Sequence, residues 1–190
     1  MIRIALVGNI GSGKTFLSRL FGYPVFNADE TVAKIYSKNK KIYLKLKDKL
    51  PNLFTKFPIQ KKEVIKAIIK DKDNIKKISS IVHPEVRKDL KKFIKKNKKK
   101  RIIILDIPLF LENKMNNKKD IIIFVKSSNK EIFKRVKKRK NFNKIILQRL
   151  KKLQLPLSLK RKKSHYVIKN NFNKQFARKD VKDTLNKILL

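Results

Sequence analysis

The chain opens on an apolar run, Ile4 to Val7, that is stopped by Gly8. A short β-branched and apolar run ended by glycine predicts a buried strand over Met1 to Val7, and a helix should follow from Gly13 to about Phe21. Pro24 to Asn27 predicts a second short strand, after which Val32, Ala33, Ile35 and Tyr36 set helical spacing over Asp29 to Tyr36. Asp29 then sits at a strand's carboxyl end. From Lys40 to Asn97 every apolar period is helical, with breaks at Pro51, Pro58 and Pro84 and one stripe made of Val64, Ile65, Ile68 and Ile69. Pro84 suits the first turn of a helix ending near Lys96, where its missing N–H removes no bond.

Arg101 to Ile107 is the clearest strand, nearly all apolar as a central strand of a parallel sheet should be, and Ile121 to Val125 is another. Ser128 with Glu131 forms a capping box that opens a helix through Arg139. Tyr166 to Ile168 predicts a last short strand, and the tail from Asn173 an amphipathic helix carrying Val181, Leu185, Ile188 and Leu189. Strands alternating with helices predict an α/β fold, a parallel β-sheet flanked by helices on both faces. The 190 residues suit one domain with one core, interrupted by a helical insertion at about 38–98.

Composition changes this picture in one respect. Lys and Arg number 53 against 14 Asp and Glu, a net charge of +39. Such a charge attracts nucleotides, other phosphorylated metabolites, nucleic acids and anionic lipids alike, so by itself it selects none of them. The excess is mostly Lys, with Ile and Asn also abundant, which is what drift in genome base composition produces without selection for binding. The absence of cysteine excludes disulfides, thiolate metal sites and a Cys nucleophile, and is compatible with a reducing cytosol. The first apolar run is too short for an export signal. The longest one, Ile102 to Leu111, is interrupted by Asp106 and Pro108 and reaches about half the length of a membrane helix. A cytoplasmic protein without a membrane partner is expected; the sequence leaves the oligomeric state open.

Gly8-Asn9-Ile10-Gly11-Ser12-Gly13-Lys14-Thr15 is a complete G-x-x-x-x-G-K-T between a predicted strand and a predicted helix. The glycines allow backbone angles closed to other residues, so that successive N–H groups point inward around a β-phosphate, and the helix start adds its positive end. Lys14 supplies a point charge for β- and γ-oxygens, and the Thr15 hydroxyl a ligand for Mg²⁺. ATP and Mg²⁺ are the expected cofactors. The loop leaves open whether the phosphoryl group goes to water or to a substrate. Asn117-Lys118-Lys119-Asp120 matches a guanine-reading motif, but it precedes a strand where that motif should follow one.

Asp29 could take a proton from an acceptor hydroxyl or merely serve a helix start. Further landmarks follow in order: Asn27-Ala28-Asp29, His83-Pro84 with Arg87, Asp106 through Glu112, Arg135 and Arg139, and Asn170-Asn171. Over nearly the whole chain this succession resembles the dephospho-CoA kinase family of P-loop kinases. The resemblance implies transfer of the ATP γ-phosphate to the ribose 3′-hydroxyl of dephospho-CoA, giving coenzyme A and ADP. It implies Asp29 as catalytic base beside Lys14. It implies ATP binding by Gly8, Gly11, Ser12, Gly13, Lys14, Thr15, Phe16, Arg135, Arg139 and Asn171, and metal binding by Thr15. On the acceptor side it implies His83, Arg87, Pro108, Leu109 and Glu112.

Residue chemistry agrees with transfer: no acid occurs from Ile132 to Lys179, while Arg135, Arg139, Arg149 and Arg161 are available. A basic lid at about 139–164, closing over phosphates, would exclude water. Three positions depart from the family pattern. Asn27 replaces an acid, Phe16 a hydroxyl residue, and Ser164-His165-Tyr166 lacks the acids expected before the last strand. Taken singly, His83 could be a turn residue, Arg87 a solvated face, Glu112 a surface acid, and Asp106 either a metal-side acid or a buried strand end. The alternatives are another small-metabolite or nucleoside monophosphate P-loop kinase, and a basic nucleic-acid-binding protein. No stacking motif supports the latter, so no specific nucleic-acid partner is expected.

Overall fold

A computed structural model describes residues 1–138 and 142–190. In chain order the elements are β1 (Ile2–Gly8), α1 (Lys14–Leu20), β2 (Val25–Asn27), α2 (Ala28–Lys38), α3 (Lys40–Lys49), α4 (Lys61–Lys70), α5 (Asn74–Lys96), β3 (Ile102–Asp106), β4 (Ile121–Lys126), α6 (Asn129–Lys137), α7 (Lys144–Lys152), α8 (Leu157–Lys162), β5 (Tyr166–Lys169) and α9 (Lys174–Leu189). They divide into two units. The first comprises Met1–Asn27, Asn97–Phe142 and Lys151–Leu190, and the second Ala28–Lys96 with Asn143–Leu150.

The first unit is a parallel sheet in the order β2-β3-β1-β4-β5. β1 is its centre, with Ile4 paired to Ile104 on one side and to Ile121 on the other. Its residues are apolar on both faces because both faces are covered. Ile4, Leu6, Ile102, Ile104, Ile123 and Val125 pack with Leu17 and Phe21 of the first helix and with Ala177 and Val181 of the last. On the opposite face Ala5, Val7, Ile103, Leu105, Ile122 and Phe124 are also buried. From β1 the chain runs outward past β3, whereas from β3 it runs the other way past β1. Such a reversal opens a crevice at the carboxyl ends of these two strands, where ligands of open α/β sheets bind.

Two long-range contacts set the far side of the sheet. Arg3 grips Asp120 through Nη2 (3.0 Å) and Nε (2.8 Å), and Asp120 also accepts from Asn117 N (2.8 Å). The Asn117 to Asp120 stretch is thus a structural turn that enters β4. His165 donates its N–H to Ile122 O (2.8 Å) and accepts from Ile122 N at Nδ1 (3.0 Å), aligning β5 with β4.

The second unit is helical and begins at Ala28, with α2 packed against α3 and α5. Pro84 does not open a helix, as its position led us to expect; it lies inside α5. That helix buries Ile78, Val82, Val86 and Leu90 at four-residue spacing on both sides of the proline. Burial of this stripe outweighs the N–H that Pro84 removes, a tertiary effect that local propensity does not carry. The expected lid segment forms two helices. α7 lies mostly in the second unit, where the Arg149 guanidinium donates to Ile68 O, and α8 lies in the first. Among the described residues no helix is long and apolar enough to cross a membrane.

Candidate active site

β1 ends at Gly8, and the chain bends through Asn9 to Gly13 before α1 begins. Asn9 organises the first half of the bend: its side-chain oxygen accepts from Ile10 N (2.8 Å) and its carbonyl from Ser12 N (3.2 Å). The Lys14 ammonium lies across the loop, 2.9 Å from Asn9 O and 3.4 Å from Gly8 O. Thr15 is exposed on the first turn of α1, with Phe16 beside it. Glycine is required where neighbours crowd the backbone. Gly11 has φ 84°, and a Cβ there would meet Val136 Cγ2 of α6 at 2.5 Å. Gly13 has φ 91° and abuts the Asn170 amide and the Phe172 ring. A glycine-rich bend of this kind, with an ammonium across it at the end of the central strand, is suited to form an anion-holding nest.

Around the nest, the first unit places Arg135 of α6 over the Phe172 ring, 4.5 Å from its centroid. Beyond β3, Pro108 is exposed and Leu109 takes φ 54°. The Glu112 carboxylate bonds Lys160 Nζ (2.7 Å) and Leu155 N (3.0 Å). Lys160 is only 2% exposed, so Glu112 provides the charge that lets this lysine be buried at the base of the expected lid. On β3, buried Asp106 accepts from Asn27 Nδ2 of β2 (3.0 Å), its register partner. Asn27 is therefore a donor to a carboxylate; a second acid there would set like charges against each other.

Comparison with known proteins decides the family. A dephospho-CoA kinase family model matches residues 2–175. The chain belongs to the dephospho-CoA kinase family. Among curated members it is similar to dephospho-CoA kinase of Wolbachia pipientis wMel, 32% identical over 98% of each chain. A Thermus thermophilus crystal structure matches with a TM-score of 0.81 at 25% identity, covering 100% of this chain and 98% of that one. Dephospho-CoA kinase from Campylobacter jejuni shares the fold with a TM-score of 0.65 at 21% identity, covering 98% and 96%.

Of the residues expected at the nucleotide, Gly8 ends β1, and Gly11, Ser12, Gly13, Lys14, Thr15 and Phe16 lie on the loop that follows or on the first turn of α1. Pro108, Leu109, Glu112, Arg135 and Asn171 belong to the same unit, whereas Asp29, His83 and Arg87 belong to the second. Asp29 is an exposed acid in the first turn of α2, directly after the chain leaves β2. Arg139 lies outside the described residues. Asn171 is exposed and accepts from Asn173 N (3.0 Å), while its neighbour Asn170 is buried against the loop. Neither type nor spacing singles out Phe172 or Lys160, and Asn170 enters only as half of the Asn170-Asn171 landmark of the resemblance, whose second residue is the one assigned to the nucleotide.

His83 and Arg87 stand one helical turn apart on α5. Burial of His83, and secondarily the Arg87 charge, hold its pKa below the ordinary histidine value. The unfolded chain then binds this proton more readily than the folded one, so the His83 contribution to stability is full above about pH 6.5 and declines as pH falls through that value. Urea denaturation at pH 7.5 and pH 5.5 should show a smaller loss of stability on acidification for His83→Gln than for the wild type; equal losses would contradict this assignment.

Proposed function

We propose that this chain transfers the γ-phosphate of ATP to the ribose 3′-hydroxyl of dephospho-CoA, giving coenzyme A and ADP in the cytoplasm. The observation that carries the proposal is the loop after β1, with its crowded glycines and the Lys14 ammonium lying across it. Phosphoryl transfer has a loose, highly charged transition state, so positioning and positive charge supply most of the catalysis. Loop amides hold the β-phosphate, and Lys14 balances charge on the β- and γ-oxygens. Asp29, exposed at the start of α2, orients the acceptor hydroxyl and takes its proton. Arg135 is available to the nucleotide. His83, Arg87, Pro108 and Leu109 are assigned to the acceptor, and Glu112 serves it through the segment it anchors.

Among the described residues no group of three or more His, Cys, Asp or Glu could cage a metal. Magnesium does not need such a cage, since it keeps several waters and binds substrate phosphates with one or two protein donors. The exposed Thr15 hydroxyl fits that role, and bound magnesium would neutralise charge between the β- and γ-phosphates.

ADP release measured with MgATP and a panel of acceptors should be fast with dephospho-CoA and slow with AMP, CMP or shikimate; a preference for any of the others would overturn the assignment. Asp29→Asn should lower kcat by about 10²-fold or more while leaving the ATP dissociation constant nearly unchanged. Wild-type turnover in that variant would remove Asp29 from the mechanism.

A further inference from the structure

Asn9 secures the first half of the loop. The second half is also held from outside, through the Ser12 carbonyl, which accepts from Asn170 Nδ2 (2.8 Å) and from Ser127 Oγ (3.0 Å). A peptide unit is planar and trans, so its C=O and N–H point in opposite directions. Holding the Ser12 oxygen towards Asn170 and Ser127 therefore turns the Gly13 N–H to the other side, towards the phosphate nest.

Asn170 is built for this purpose. It is 2% exposed, follows the last residue of β5, and is fixed by its own N–H to Lys126 O (2.8 Å). Its side-chain oxygen accepts from Phe172 N (3.0 Å), so one amide serves a carbonyl and an N–H at once. An amide carries both a donor and an acceptor, which leucine and an ionised aspartate do not. The bond to Phe172 accompanies a φ of 64° at that residue, a backbone conformation uncommon outside glycine. Phe172 in turn lies under Arg135 and against Gly13.

We propose that Asn170 is a positioning residue for nucleotide binding: it sets the direction of the Gly13 amide by anchoring the Ser12 carbonyl, and couples the nest to Phe172 and Arg135. This inference rests on the nucleotide reading given above. Asn170→Asp keeps the acceptor for Phe172 but sets an oxygen against the Ser12 carbonyl, whereas Ser127→Ala deletes the second, weaker anchor.

Calorimetric titration with MgATP should show affinity reduced by about tenfold or more in Asn170→Asp and several-fold in Ser127→Ala, the unmet carbonyl being costly. The KM for dephospho-CoA should be unchanged in both. A merely structural role would lower the melting temperature without moving MgATP affinity, so MgATP binding within about twofold of wild type in a folded Asn170→Asp protein overturns the proposal. If Asn170→Asp does not fold, Ser127→Ala decides alone: several-fold weaker binding supports the proposal and wild-type binding overturns it. Failure of the wild-type chain itself to take up MgATP would overturn the nucleotide reading beneath it.

Discussion

The orientation of one peptide unit, the link between Ser12 and Gly13, is the constraint on which the proposed nucleotide site depends. Its carbonyl is bonded by groups that follow β4 and β5, so the sheet itself determines which way the neighbouring amide points. The sheet is rigid because β1 is buried on both faces and paired on both sides. Rigidity at this point has chemical value. A donor already aimed at a developing charge needs no reorganisation when the charge appears.

Charge plays a narrower part than its total of +39 implies. Most lysines lie on the surface, where salt screens them over roughly 10 Å. The consequential cations are the ones given a geometry. Lys14 lies over the loop, Arg135 lies over an aromatic ring, and Lys160 is buried only because Glu112 is 2.7 Å away. Asn27 belongs with them as a neutral donor to buried Asp106.

Much of the fold was legible along the chain, because its signals are local. β1, β3 and β4 are short runs rich in Ile and Val, and the phosphate loop is eight consecutive residues whose types carry their own chemistry. What escaped was long-range. Pro84 lies mid-helix because a buried stripe continues past it. Local spacing does not carry that fact. The roles of Asn170 and Lys160 depend on partners more than forty residues away, which no motif encodes. Between adjacent asparagines, type alone could not tell the buried bridge at 170 from the exposed residue at 171.

The Gly13 amide is the most direct witness to this account. In a ¹H–¹⁵N spectrum of the wild-type protein, addition of MgATP should move the Gly13 amide proton strongly downfield, as a new hydrogen bond to a phosphate oxygen requires. If MgATP bound and shifted other resonances while Gly13 stayed in place, that amide would not face the nucleotide, and the account would be wrong at its centre.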